Sequence, residues 1–149
     1  PSGKLGIMNK KNKSFFKILA KKSLNKNPII NIYGNNHDTK DGTCIRDYVH
    51  VSDLADIHIR SLNFINLKSK SLVLNCGYGK GYSVLDIVNI FKKMKKKLIV
   101  EFTKRRPGDV AKVYADTKKI KRILKWKPRY NNLNKILKSS FRWEKKLNN

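Results

Sequence analysis

Cysteine is scarce: Cys44 and Cys76 are the only two in 149 residues, and they stand in unrelated contexts. Such a pair makes neither a disulfide framework nor a metal-ligand set, so no metal is expected and a reducing, cytoplasmic setting is. Long apolar runs are missing as well. Mean hydropathy is −0.57, and nothing approaches the eighteen or so apolar residues that a membrane-spanning helix needs. No charged-then-apolar leader with a small-residue cleavage site opens the chain, so nothing reads as a signal peptide. Acidic residues are also few, 10 against 35 basic ones, for a formal net charge of +25. A pI near 10.3 is the usual footprint of a nucleic-acid binder. The basic residues, however, are 28 Lys and 7 Arg, scattered along a chain also rich in Asn. A phosphate-backbone reader gathers its charge on one face. Dispersed Lys with Asn reads as compositional bias and a solvated surface, and nucleic acid is disfavoured as a partner.

What is present suffices for one core: 40% of residues are apolar. The length fits a single domain or part of a larger one. The chain opens Pro1-Ser2-Gly3 and reaches its first methionine at Met8, and the expectation is a piece whose N-terminal part is missing. Residues 1–14 lack periodicity and read as a loop. Apolar spacing predicts a helix from Phe15 to Leu24, ended by Asn25-Lys26-Asn27-Pro28. A strand follows over Ile29–Tyr33, then a loop dense in Asn, Asp and Gly to Gly42. Cys44 to Val51 has strand character. Ser52 reads as a helix N-cap with Asp53 in the first turn, and the apolar stripe runs on to about Asn66. Leu72 to Cys76 reads as a strand, Gly77 to Gly81 as a loop, and Ser83 as the cap of the next helix. A strand over Leu98–Phe102, a Pro-Gly loop from Lys104 to Asp109, a short helix capped by Asp116, and a last helix from about Asn132 to Lys146 complete the order. Short strands separated by helices make this mixed α/β.

Two segments imitate dehydrogenase motifs. Gly77-Tyr78-Gly79-Lys80-Gly81 lies between a strand and a helix, but it is one residue short of the dinucleotide fingerprint G-x-G-x-x-G. Ser83 would also occupy amides that a phosphate needs, so a turn requiring positive φ is preferred. Tyr114-Ala115-Asp116-Thr117-Lys118 spells Tyr-x-x-x-Lys, a pair that works as base and pKa-lowering partner only when both share a helix. With Asp116 as cap, Tyr114 falls before the helix, and the pair is read as accidental.

The chemistry sits elsewhere. Arg46 follows a Gly-containing turn and precedes a helix, and its planar fork of donors suits phosphate. Asp47 could orient a neighbour or simply pair with Lys. His50 reads as a satisfied structural histidine. Arg105-Arg106-Pro107-Gly108-Asp109 makes a rigid loop with a basic prong and a carboxylate able to accept sugar hydroxyls. Two guanidiniums and a carboxylate on loops suit a diphosphate joined to a polyol. Exposed salt bridges are the equal alternative on these residues alone.

The run Asp41-Gly42-Thr43-Cys44-Ile45-Arg46-Asp47-Tyr48-Val49-His50-Val51-Ser52-Asp53-Leu54-Ala55, with Arg105 to Asp109, closely resembles the UDP-glucose 4-epimerase family of extended short-chain dehydrogenases. The likeness continues through Leu74-Asn75-Cys76-Gly77, Ser83-Val84, Ala115-Asp116 and Trp126-Lys127-Pro128. It implies an α/β fold, the C-terminal substrate-binding portion of such an enzyme, over residues 1–149, with the Rossmann domain largely missing. It implies oxidation at C4 of a UDP-hexose by tightly held NAD and return of hydride to the other face, interconverting UDP-glucose and UDP-galactose. The NAD loop and the Ser and Tyr-x-x-x-Lys catalytic set would lie in the missing domain, leaving no catalytic residue here and an inactive piece. Apolar stripes normally covered by that domain would be exposed. The complete protein would be a homodimer. By motif match, Arg46 and Arg106 would contact the diphosphate and Asp109 a ribose hydroxyl. Asn31, Ile32 and Tyr33 match the strand lining the uracil pocket. Ser14 and Phe15 stand where the family usually has Asn or His followed by Leu, and 7–13 is basic where the family is typically acidic. Other nucleotide-sugar members, including UDP-N-acetylhexosamine or UDP-pentose 4-epimerases, remain alternatives, as does a basic nucleic-acid-binding module.

Overall fold

The computed structural model describes residues 14–94 and 97–148. The expected loop over 1–13 and the basic departure at 7–13 lie outside the described residues. Ten elements follow in order: α1 Phe15–Lys22, β1 Ile29–Tyr33, β2 Ile45–Arg46, α2 Val51–Lys68, β3 Tyr82–Ser83, α3 Val84–Met94, β4 Ile99–Thr103, β5 Lys112–Val113, α4 Lys118–Leu124 and α5 Leu133–Leu147. The α/β architecture is therefore as the sequence implies.

Two small sheets organise the chain. β1 and β4 pair in parallel, from Ile29 opposite Ile99 to Tyr33 opposite Thr103. Alternation along β1 turns Ile30 and Ile32 into the core, while Ile29 and Tyr33 stay exposed. The second sheet runs β3-β2-β5, with β2 antiparallel to β3 and parallel to β5. The core joins Ile30 and Ile32 to Leu19, Ile57, Phe91, Ile120, Trp126 and Leu137.

Helix starts follow local chemistry. Ser83 and Asp86 form a reciprocal capping box at α3: Asp86 N donates to Ser83 Oγ at 2.9 Å and Ser83 N to Asp86 Oδ2 at 3.0 Å. Asn132 caps α5 through Lys135 N at 3.1 Å. The expected cap of α2 is corrected. His50, not Ser52, is the N-cap, its Nδ1 accepting from Ser52 N at 3.0 Å. At α4 the N-cap position is Thr117, although Asp116 Oδ1 still accepts from Lys118 N at 2.9 Å.

The strand expected over Cys44–Val51 shrinks to Ile45–Arg46, because β3 and β5 offer only two-residue partners and Val51 already opens α2. Asp53 is not a simple dipole partner. It is 1% exposed and accepts from Tyr78 Oη at 2.6 Å, Arg129 N at 3.0 Å and Tyr130 N at 2.9 Å. The carboxylate thus fastens the segment before α5 onto the start of α2.

The expected strand at Leu72–Cys76 has no ladder partner among the described residues. The stripe of α2 is also mostly uncovered: Ile57 is buried, but Ile59, Leu62, Ile65 and Leu67 are exposed, as is Val73. A groove of about 190 Å³ runs between α2 and this segment, lined by Ile57, Phe64, Ile65, Leu72, Leu74 and Cys76 among others.

Candidate functional site

Parallel pairing puts the C-terminal ends of β1 and β4 side by side, and Gly34 N extends the ladder to Thr103 O at 2.9 Å. The loop after β4 then reverses at Pro107-Gly108, where Gly108 takes φ +79° and Asp109 N reaches back to Arg106 O at 3.3 Å. This turn lays the Arg106 guanidinium 3.7 Å above the Tyr33 ring, a cation–π contact that fixes a long basic side chain.

Arg46 meets the same loop from the second sheet. Its Nη1 donates to Ile45 O at 2.8 Å and to Val110 O at 2.7 Å. Its Nη2 lies 3.6 Å from Asp109 Oδ1, with both side chains about 30% exposed. Two contact pairs, Tyr33 with Arg106 and Arg46 with Asp109, are thus joined through the backbone of the 106–109 turn. Nε of Arg46 has no hydrogen-bond partner among the described residues. A planar fork held at one edge and open at another can still take a phosphate oxygen pair.

The remaining expected residues stand differently toward these pairs. Asn31 shares the half-open face of β1 with Tyr33. Ile32 points the opposite way and is 2% exposed in the core, so the alternation of the strand leaves only its backbone for a ligand. Its carbonyl accepts from Thr103 Oγ1 at 3.3 Å. Ser14 precedes α1 and Phe15 begins it. From there an aromatic chain leads toward the second sheet: Phe15 packs edge-on to Phe16, and Phe16 edge-on to Tyr48 at 4.9 Å. Burial pushes the Tyr48 phenol up to about 12, so it stays protonated at neutral pH.

Neither imitation motif forms. Tyr114 is 58% exposed on the chain before α4, and Lys118 is the first residue of that helix. In the glycine loop Gly79 takes φ +73°, the positive φ that the sequence suggested. Amides that a phosphate would need are already used, by the Ser83 cap as expected and, in the loop itself, by Asp47. Asp47 accepts from Tyr78 N at 3.0 Å, Gly79 N at 2.9 Å and Ala115 N at 3.4 Å. Sequence reasoning left the role of Asp47 open, because nothing in the run Arg46-Asp47-Tyr48 shows that it faces a loop thirty residues on. The carbonyl of Val110 was missed entirely, since a backbone acceptor leaves no signature in side-chain types.

Among the described residues no group of three or more His, Cys, Asp or Glu could hold a metal ion. Cys44 is buried and Cys76 exposed, both as free thiols. No described helix is long and apolar enough to cross a membrane. The groove beside α2 is lined by no Lys or Arg, so it suits apolar packing rather than a phosphate.

Comparison with known proteins decides the relationship. The sequence model of the GDP-mannose 4,6 dehydratase family matches residues 7–139. The chain belongs to this family. A UDP-glucose 4-epimerase of Azospirillum brasilense is 37% identical over 148 residues, covering 99% of this chain and 42% of that protein. A crystal structure of UDP-glucose 4-epimerase superposes with TM-score 0.92 at 33% identity, over 100% of this chain and 46% of the other. The epimerase of Stenotrophomonas maltophila, solved with bound NAD and formylated UDP-arabinopyranose, gives TM-score 0.88 at 29% identity, over 95% and 42%. The resemblance and the α/β fold class read from the sequence are thus borne out. The chain spans about two-fifths of the relatives it matches.

Proposed function

We propose that this chain supplies the nucleotide-sugar grip of a UDP-sugar 4-epimerase that interconverts UDP-glucose and UDP-galactose. The observation that carries the reading is that one turn, 106–110, is met by Tyr33 at Arg106 and by Arg46 at Asp109 and Val110. In this proposal Arg46 and Arg106 neutralise the diphosphate, each with charged hydrogen bonds. Asp109 accepts from a ribose hydroxyl, exchanging its contact with Arg46 for one across the ligand. Tyr33 and Asn31 lie along the base side, with the backbone of Ile32, and the start of α1 at Ser14 and Phe15 closes that end.

Such a grip holds the substrate far from its reacting carbon. Binding energy gathered on the nucleotide can hold the substrate while the hexose turns over between two faces, which an epimerisation requires. The described residues do not fit NAD. The glycine loop at 77–81 has its Tyr78 and Gly79 amides taken by Asp47, and no step through the cofactor is assigned to this chain. On this proposal NAD and the catalytic set belong to the rest of a longer protein, for which residues 1–149 are the C-terminal domain. The exposed apolar face of α2 and the unpaired segment at 72–76 are where that remainder packs. Burial of such a face is the usual fate of a contiguous apolar patch.

Parallel titration of the complete protein with UDP and with a random oligonucleotide tests the reading. Saturable UDP binding, with weak oligonucleotide binding, is expected. Tight oligonucleotide binding that falls steeply with salt, and none for UDP, would point to a polyanion surface instead.

A further inference from the structure

Arg46 sits on a sheet too small to hold it firmly. β2, β3 and β5 contribute two residues each, so four residue pairings fix the whole sheet: Ile45 with Ser83 and Lys112, Arg46 with Tyr82 and Val113. One end of this sheet carries an additional fastening. The carboxylate of Asp47, the residue after β2, takes Tyr78 N at 3.0 Å, Gly79 N at 2.9 Å and Ala115 N at 3.4 Å. Tyr78 and Gly79 lie just before β3, and Ala115 just after β5. A single side chain therefore bridges the chain segments of all three strands.

The glycines of the loop fit this role. A Cβ at Gly77 would land on Asp47 Oδ2 and on the Ala115 side chain. A side chain there would push the carboxylate off the amides. Gly79 supplies the positive φ that turns its own amide toward the same oxygen pair. The loop that imitates a phosphate cradle is thus an anion site whose anion is built into the protein.

We propose that Asp47 is a positioning residue for nucleotide-sugar binding: by stapling β3 and β5 to the end of β2, it sets the direction in which Arg46 presents its guanidinium to the diphosphate. Asp47 touches no ligand itself. It acts through Arg46, whose Nη1 must meet the Val110 carbonyl just ahead of β5 while the rest of the fork faces outward. Loss of the staple would let β5 and the 106–110 loop drift relative to β2, and the fork would lose its aim. This inference rests on the reading of Arg46 as a diphosphate ligand.

A double-mutant cycle on the complete protein separates the two ideas. UDP affinity is measured by calorimetry for wild type, Arg46→Ala, Asp47→Asn and the double variant, at a temperature where melting curves show all four folded. Asp47→Asn is expected to weaken UDP about tenfold, roughly as a lost charged hydrogen bond does. The double variant is expected to be no weaker than Arg46→Ala alone, because Asp47 acts only through that arginine. A merely structural role would instead lower the melting temperature and leave UDP affinity near wild type, or give losses that multiply. Either result overturns the proposal. Unchanged affinity in Arg46→Ala overturns the diphosphate reading, and the positioning role with it. If Asp47→Asn does not fold, hydrogen exchange on the wild-type protein reads the same coupling. Saturating UDP should slow exchange at the Tyr78, Gly79 and Ala115 amides, and unchanged rates there would refute it.

Discussion

Replacing Asp53 with Ala should cost more stability than any other single polar substitution in the described fold. The carboxylate is 1% exposed, and it is the acceptor for the Tyr78 hydroxyl and for the amides of Arg129 and Tyr130. Alanine leaves the hydroxyl without an acceptor inside the core, where Tyr78 lies parallel to Trp126 with centroids 6.3 Å apart. The amides are only partly buried, so water can reach them at reduced cost. An unsatisfied buried donor costs about 1–3 kcal/mol, so about 2 kcal/mol for the hydroxyl and about 1 kcal/mol for each amide give about 4 kcal/mol. That is a large share of the roughly 5–15 kcal/mol that holds an ordinary domain folded. Tyr78→Phe keeps the Arg129 and Tyr130 amide bonds to Asp53 but takes the acceptor from the buried His50 N–H, which donates to Tyr78 Oη at 3.1 Å, so about 2 kcal/mol is expected, about half the loss of Asp53→Ala. Urea denaturation of the complete protein, followed by tyrosine and tryptophan fluorescence, measures both. A loss under 1 kcal/mol for Asp53→Ala, or an equal loss in the two variants, would refute the view that this carboxylate fastens α5 to α2.

His50 gives a pH prediction. Burial lowers its pKa below the ordinary 6.5, in keeping with a neutral ring whose Nδ1 accepts the Ser52 amide while Nε2 lies 3.3 Å from Ser139 Oγ. The unfolded chain therefore takes up the proton first. The contribution is intact above pH 6.5 and is lost as pH falls from there through the folded value. A His50→Asn variant should show a shallower fall in denaturation midpoint between pH 7.5 and 5; an unchanged slope would exclude His50 as the source. Arg106→Ala should weaken UDP binding by about 1.5–3 kcal/mol, whereas Tyr33→Leu should weaken it by no more than about 1 kcal/mol through the lost cation–π seat; calorimetry on the complete protein distinguishes the two. Residues 1–149 alone, given NAD and UDP-galactose, should form no UDP-glucose in a coupled assay that detects turnover by the complete protein. Measurable turnover would mean that the catalytic set lies within this chain.

The sequence conveyed element order far better than element contacts. Periodicity placed α3 and α5 because their caps, Ser83 and Asn132, act within three residues of themselves. It overextended the strand after Cys44, because strand length depends on distant partners, and β3 and β5 are two residues each. It marked the apolar stripe of α2 but not which of its residues are covered: Ile57 is buried while Leu62 and Ile65 are exposed, since periodicity records which face is apolar and not whether anything covers it. Arg46, Arg106 and Asp109 were picked out by residue type on glycine-bearing loops. Their proximity came from two distant pairings: β1 with β4 brings the Arg106 loop over Tyr33, and β2 with β5 brings Arg46 to Val110 and Asp109. Asp47 and the Val110 carbonyl were illegible for the same reason: one acts across the fold and the other has no side-chain signature.

The central claim is that Arg46 and Arg106 hold one diphosphate, and the selectivity of the complete protein for phosphate tests it most directly. UDP and uridine are titrated against wild type and against the Arg46→Ala, Arg106→Ala double variant. Wild type should prefer UDP by about a hundredfold or more, as expected for two charged hydrogen bonds, and the variant should bind both ligands with similar, weak affinity. A preference for UDP that survives the loss of both guanidiniums would contradict the account.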